Sequence, residues 1–146
     1  IDTLTLSKVL SKLGASSVLN AINKIEKGDA RFQEQNHSEA TYAKKISKEE
    51  GRINWNQSAK KVLAKINGLN PNPGAWFQYN KERYKVWKAK IVNENGDSGK
   101  TLDDKLTVAC KDKSIKILEI QKEGKSRQEI NQFLLGNKIK QDQSIV

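Results

Sequence analysis

Apolar residues recur at helical spacing along the first 27 positions. Leu6, Val9, Leu10 and Leu13 fall on one face of a helix over 4–13, with Asp2 or Thr3 as its cap and Gly14 as its stop. Val18, Leu19, Ala21, Ile22 and Ile25 mark a second helix over 16–27, with Gly28 just past its end. This pattern predicts a helical pair that needs a partner surface, because isolated helices of this length are marginal. The periodicity then lapses. Residues 28–52 are polar, with isolated Phe32, Tyr42 and Ile46, and read as an extended linker joining two domains. A third helix follows, capped by Asn56 or Ser58, with Val62, Leu63, Ile66 and Leu69 inward. Gly68 and Pro71 end it.

Beyond Pro73 the period changes to that of strands. Residues 75–79 and 83–92 flank "NKE", a turn. A short strand is expected near 100–102. In "KLTVAC", Leu106, Val108 and Cys110 alternate on one face. In "SIKILEIQ" the apolar pattern changes face between Ile117 and Leu118, as a bulge or coverage on both faces would produce. "SRQEINQFLLG" supplies a last helix with Ile130, Phe133 and Leu134 inward, and the tail "NKIKQDQSIV" reads as polar and loose. About five short strands in roughly 50 residues suit a small barrel better than a flat sheet. The expected class is α+β, mainly β.

The aromatic residues of the first two strands leave two readings open. Trp76, Tyr79, Tyr84 and Trp87 are either platforms for stacked bases or core. Strand parity groups Trp87 with Ala89 and Ile91, and Tyr84 with Val86. Trp87 is therefore expected in the core.

Charge changes the picture more. Lys and Arg outnumber Asp and Glu 27 to 17, a net +10, which attracts polyanions and makes nucleic acid the first candidate partner. Lys81, Arg83, Lys85, Lys88 and Lys90 crowd into ten residues against one acid, Glu82. Lys44, Lys45, Lys48 and Arg52 form a second cluster, partly offset by Glu49 and Glu50. Lys60, Lys61 and Lys65 extend either cluster. The lone Cys110 excludes an internal disulfide and suits a reducing compartment, and the lone His37 has no Cys/His cluster to join it on a metal. Phosphate-loop, dinucleotide, zinc-protease and nucleophile-elbow motifs are absent, and "EGKS" at 123–126 lacks the upstream glycine of a phosphate loop. No catalytic or metal site is expected. No apolar run is long enough for a transmembrane helix. The chain has no methionine and opens on Ile1, so a piece of a longer protein is expected, with any active site upstream.

Several stretches, in order, resemble one family. "TYAKKISKEEGRINWN" (41–56), "INGLNPNPGAWF" (66–77), "KVWKAK" (85–90) and "LEIQKEGK" (118–125) are similar to the C-terminal half of methionyl-tRNA formyltransferases. "TLSKVLSKLGASSVLNAINKIEKGDA" resembles the helical end of their catalytic domain. The resemblance implies a cytoplasmic, bacterial-type enzyme of translation initiation. It formylates methionine on initiator tRNA with 10-formyltetrahydrofolate as co-substrate, using an Asn/His/Asp set upstream that nothing here matches. It implies a helical remnant of the catalytic domain at 1–28, a basic linker at 29–52, and an OB-like barrel at 53–146 that holds tRNA. Its implied partners are initiator tRNA and the catalytic domain, in a monomer with no membrane. The RNA-binding residues carried over are Lys44, Lys45, Lys48, Arg52, Lys85, Lys88 and Lys125, to which the charge pattern adds Lys81 and Arg83. Asn54, Asn67, Asn72 and Ser126 depart from the family's common residues. Two other readings stay open: another folate-dependent formyltransferase with a small substrate, and a free-standing RNA-binding module.

Overall fold

The computed structural model describes all 146 residues. The expected helical pair is one helix, α1, over Thr3–Glu26. Gly14 does not stop it, because its φ stays out of the left-handed region and a mid-helix glycine costs only about 1 kcal/mol. Gly28 stops it instead. Its φ is 74°, its N–H donates to Ile25 O at 3.1 Å, and the Asp29 N–H donates to Lys24 O at 2.9 Å, a Schellman closure. Asp2 caps the start by accepting the Thr5 N–H. No residue of α1 is buried, and the helix is tied to the rest where Thr3 Oγ1 donates to Gly68 O at 2.7 Å.

Residues 29–46 run without regular structure, apart from a short 3-10 turn at His37–Glu39, and all but the half-buried Ala30 are exposed. Docking begins at the next 3-10 turn, Glu49–Gly51. The Ile53 N–H donates to Trp76 O at 2.8 Å, and Lys65 Nζ donates to the carbonyls of Glu50 and Arg52. Helix α2, Ala59–Leu69, is capped by Ser58 and buries Val62 and Ile66.

The sheet has five antiparallel strands: β1 Ala75–Tyr79, β2 Glu82–Val92, β3 Thr107–Ala109, β4 Ser114–Lys122 and β5 Gln128–Glu129. Their order is β1-β2-β4-β3, with β5 added to β4. The β1–β2 turn puts Asn80 and Lys81 at positive φ, the type I′ geometry that matches strand twist. Between β2 and β4 the register slips twice, leaving Trp87 and Leu118 unpaired. This bulge is the predicted change of face, and it reverses parity on β2. Tyr84 and Val86 face the core before it, and Ala89 and Ile91 face the core after it. Trp87 therefore shares its side with Arg83 and Lys85, and its expected place in the core is not observed.

The expected closed barrel is realised only in part. The named strands form an open sheet, and the gap between β1 and β3 is spanned by two non-strand segments. Residues 99–102 lie against β3, with the Ala109 N–H donating to Lys100 O at 2.9 Å. The C-terminal residues lie between that segment and β1, with the Ile145 N–H donating to Gly99 O and Val146 exchanging both backbone bonds with Gln78. The tail is thus anchored rather than loose, and Ile139 and Ile145 are buried. Helix α3, Ile130–Gly136, adds Ile130 and Phe133 to the core.

Beneath β1 and β2 the core is aromatic. Phe77 stacks on Tyr84 at 5.4 Å, Trp55 meets Phe77 edge-on, and Phe133 meets Tyr84 edge-on. Cys110 is buried as the alternation predicts, and burial, then the Asp112 carboxylate, pushes its thiol pKa up to about 12. The thiolate is the reactive form, so at about pH 8 the folded chain is expected to resist an aromatic disulfide reagent. The same chain in urea should react at once. Fast labelling without denaturant would show that β3 and the residue after it, Cys110, open readily.

Candidate nucleic-acid interface

Antiparallel pairing of β1 and β2 sets Trp76 opposite Lys85 and Gln78 opposite Arg83. These four, with Trp87, cover the sheet face that points away from the aromatic core. The two tryptophans organise its cations. The Arg83 guanidinium lies 4.2 Å from the Trp76 ring centre, and Arg52 approaches the same ring at 5.9 Å. Lys85 lies 4.2 Å and Arg127 4.7 Å from the Trp87 ring. Strong cation–π pairs occur about once per 70–80 residues. Here four cations approach two rings, three of them within 5 Å, so the indoles gather the positive charge of this face. Indole N–H groups tie it further: Trp76 Nε1 donates to Lys48 O and Trp87 Nε1 to Gln121 Oε1, both at 2.9 Å.

A pocket of about 330 Å³ opens on this face between the 72–74 corner and the 121–124 turn. Lys48, Arg83 and Lys85 line it, with Trp76, Pro73 and one acidic residue, Glu123. Its two walls depend on glycine. Gly51 packs where a Cβ would stand 2.5 Å from Gly74 O. Gly74, at φ 88°, lets the Lys85 stem pass where a Cβ would lie 2.0 Å from Cε. Lys85 Nζ donates to Pro71 O at 2.6 Å, and burial holds its pKa below the ordinary lysine value.

The structure brings Lys48, Arg52, Arg83 and Lys85 together. It leaves the other predicted residues around them or apart. Lys81 stands exposed on the hairpin turn, and Lys125 follows Gly124 in the turn at the pocket rim, its carbonyl held by Gln121. Lys44 and Lys45 stand exposed on the irregular stretch before the docked turn. Lys88 is turned to Glu119 at 3.9 Å. The ion pairs are Lys88–Glu119, Lys122–Glu82 and Arg127–Glu119, so eight of the nine predicted cations have no carboxylate partner. Sequence reasoning missed Arg127 and Gln121. Arg127 reaches Trp87 because β5 pairs with β4 beside Glu119, a contact with no signature in local spacing.

Residues 45–138 match the family described as formyl transferase, C-terminal domain. A methionyl-tRNA formyltransferase of Pelagibacter ubique is 44% identical over 136 residues, covering 92% of this chain. One from Bradyrhizobium diazoefficiens is 38% identical over 146 residues, covering 95%. The chain spans 44% and 47% of the lengths of these two relatives. Among solved structures, HypX from Aquifex aeolicus in complex with tetrahydrofolic acid superimposes with a TM-score of 0.63 at 22% identity, over 80% of this chain and 22% of its own, a likeness of fold. The matched segment starts in the exposed, irregular stretch before the docked turn and contains that turn, α2, the whole sheet and α3, so the chain belongs to the formyl transferase C-terminal domain family.

Proposed function

We propose that this chain is the tRNA-holding part of a methionyl-tRNA formyltransferase. In this reading the formyl group passes from 10-formyltetrahydrofolate to methionine on initiator tRNA in an upstream catalytic domain, in the cytoplasm. Residues 1–28 are the end of that domain, 29–52 the basic linker, and 53–146 the tRNA-holding domain of a monomer. The observation that carries the reading is the convergence of Lys48, Arg52, Arg83 and Lys85, free of carboxylate partners, on one sheet face. Phosphate contacts of this kind position a nucleic acid without reading its sequence. The contribution to catalysis is orientation: binding energy spent here presents the acceptor end to chemistry elsewhere.

The test is binding of initiator tRNA to the 146-residue chain at several salt concentrations. Affinity is expected to fall steeply as salt rises. No binding at low salt would point instead to a small-substrate formyltransferase, and equal binding of any folded RNA to a general RNA module. Lys44→Ala combined with Lys45→Ala is expected to weaken tRNA binding by about tenfold and to lower the salt slope by about 1–2. An unchanged slope would remove the exposed linker from the contact surface.

A further inference from the structure

The cations of this interface are of two kinds. Lys44, Lys45 and Lys81 stand on exposed backbone, where they follow any polyanion loosely. Arg83 is held. Its guanidinium lies over Trp76 at 4.2 Å, and its Nε–H is buried and donates to nothing. That nitrogen is closed to solvent, so an anion in the pocket reaches the guanidinium through its terminal NH2 groups, and the indole beneath fixes their plane. The pocket beside it is lined by two further cations, Lys48 and Lys85, and by two apolar side chains, Trp76 and Pro73.

That composition decides between a base and a phosphate. Trp76 is 5% exposed, is covered by Arg83, and gives its Nε1–H to Lys48 O. It offers no open ring face, so a base has nothing to stack on. A pocket of about 330 Å³ is at the small end of ligand sites and excludes a duplex. The acceptor must be compact and anionic. Glu123 on the lining works against a doubly charged group, so a singly charged phosphodiester fits better than a phosphate dianion.

We propose that the pocket between residues 72–74 and 121–124 is a seat for one backbone phosphodiester of RNA, gripped by Arg83 and flanked by Lys48 and Lys85. This rests on the RNA-holding reading and deepens it: the exposed lysines supply attraction, and the seat fixes register. A planar guanidinium already clamped on an indole loses little freedom when it binds, and it donates in a fixed fork that a lysine does not reproduce.

The experiment has two arms. In the unmodified chain, the Arg83 Nε–H resonance is followed as dimethyl phosphate, then inorganic phosphate, is added. A saturable shift at Arg83 that exceeds the shift at Arg127, with the diester bound more tightly, is the expected result. No saturable shift overturns the seat, and tighter binding of inorganic phosphate overturns the choice of a diester. In the second arm, initiator tRNA binding is compared for Arg83→Lys and Arg83→Gln. Arg83→Lys keeps the charge, so the salt slope should stay unchanged while affinity falls about tenfold, nearly as far as for Arg83→Gln. Arg83→Lys binding tRNA like the unmodified chain sinks the seat and leaves the RNA reading standing. A chain that binds no tRNA while Arg83 still answers the diester sinks the RNA reading and leaves an anion site.

Discussion

A chain shortened to residues 1–138 is expected to lose at least about 4 kcal/mol of stability, enough to unfold much of a marginal domain. The removed segment looks dispensable by composition, yet it carries Ile139 and Ile145, each buried to 2% exposure. Burial of one such side chain contributes about 1.5–3 kcal/mol. The backbone bonds from Ile145 to Gly99, from Thr101 to Gln143 and between Val146 and Gln78 go with it. So do the partners of the Thr101 hydroxyl, which donates to Lys140 O at 2.7 Å and accepts the Gln143 N–H at 2.9 Å inside a fully buried site. With the tail gone water reaches this hydroxyl, so the loss rests on the two isoleucines and the three sets of backbone bonds, each bond contributing about 0.5–1.5 kcal/mol. Urea unfolding of the shortened chain, beside Ile145→Ala with an expected loss of about 2–4 kcal/mol, measures this directly. A loss under about 1 kcal/mol for the truncation would show that the tail merely rests on the sheet.

The second large effect is expected at Gly51. Alanine there places a methyl carbon 2.5 Å from the Gly74 carbonyl oxygen and 3.0 Å from Trp76 Cδ1. Both obstacles are fixed: one is backbone, and the other is an indole held by its bond to Lys48 O. Overpacking of this kind costs about 1–3 kcal/mol. The cheapest relief is to release the 47–51 turn, which carries Lys48 away from the pocket. Gly51→Ala is therefore expected to lower stability by about 2 kcal/mol and to weaken tRNA binding together with it. Gly14→Ala is the matching control. Nothing lies within 4 Å of its added carbon, and in an exposed helix interior it should stabilise by about 0.5–1 kcal/mol. Equal, near-neutral behaviour of the two variants would refute the docking of the linker end against the corner.

Much of the fold is legible in the chain. The stripe of α2, the hairpin at "NKE", the alternation of Leu106, Val108 and Cys110, the change of face in β4 and the core side of α3 all follow from spacing. The failures share a cause. Gly14 resembles a stop because glycine often ends helices, but the stop requires a left-handed residue with bonds across it, and Gly28 meets that requirement. Unbroken parity groups Trp87 with Ala89 and Ile91, but a one-residue bulge reverses every side chain beyond it. The tail's polar composition hides two isoleucines that matter only because the sheet edges need a bridge, and the family match itself stops at residue 138.

The candidate site divides in the same way. Sequence alone determined that the chain is strongly basic, that its cations cluster in the linker and on the second strand, and that aromatic residues stand among them, since each of these is a property of neighbours in the chain. Tertiary structure alone decided which cations stay unpaired, which tryptophan is covered, and that Lys48, Arg83 and Lys85 share one small hollow. Spacing specifies an element because a helix face or strand alternation closes over a few residues. The hollow depends on pairs such as Lys48 with Trp76, 28 positions apart, and Trp87 with Gln121, 34 apart, which meet only when the sheet curls and the linker end docks on its edge.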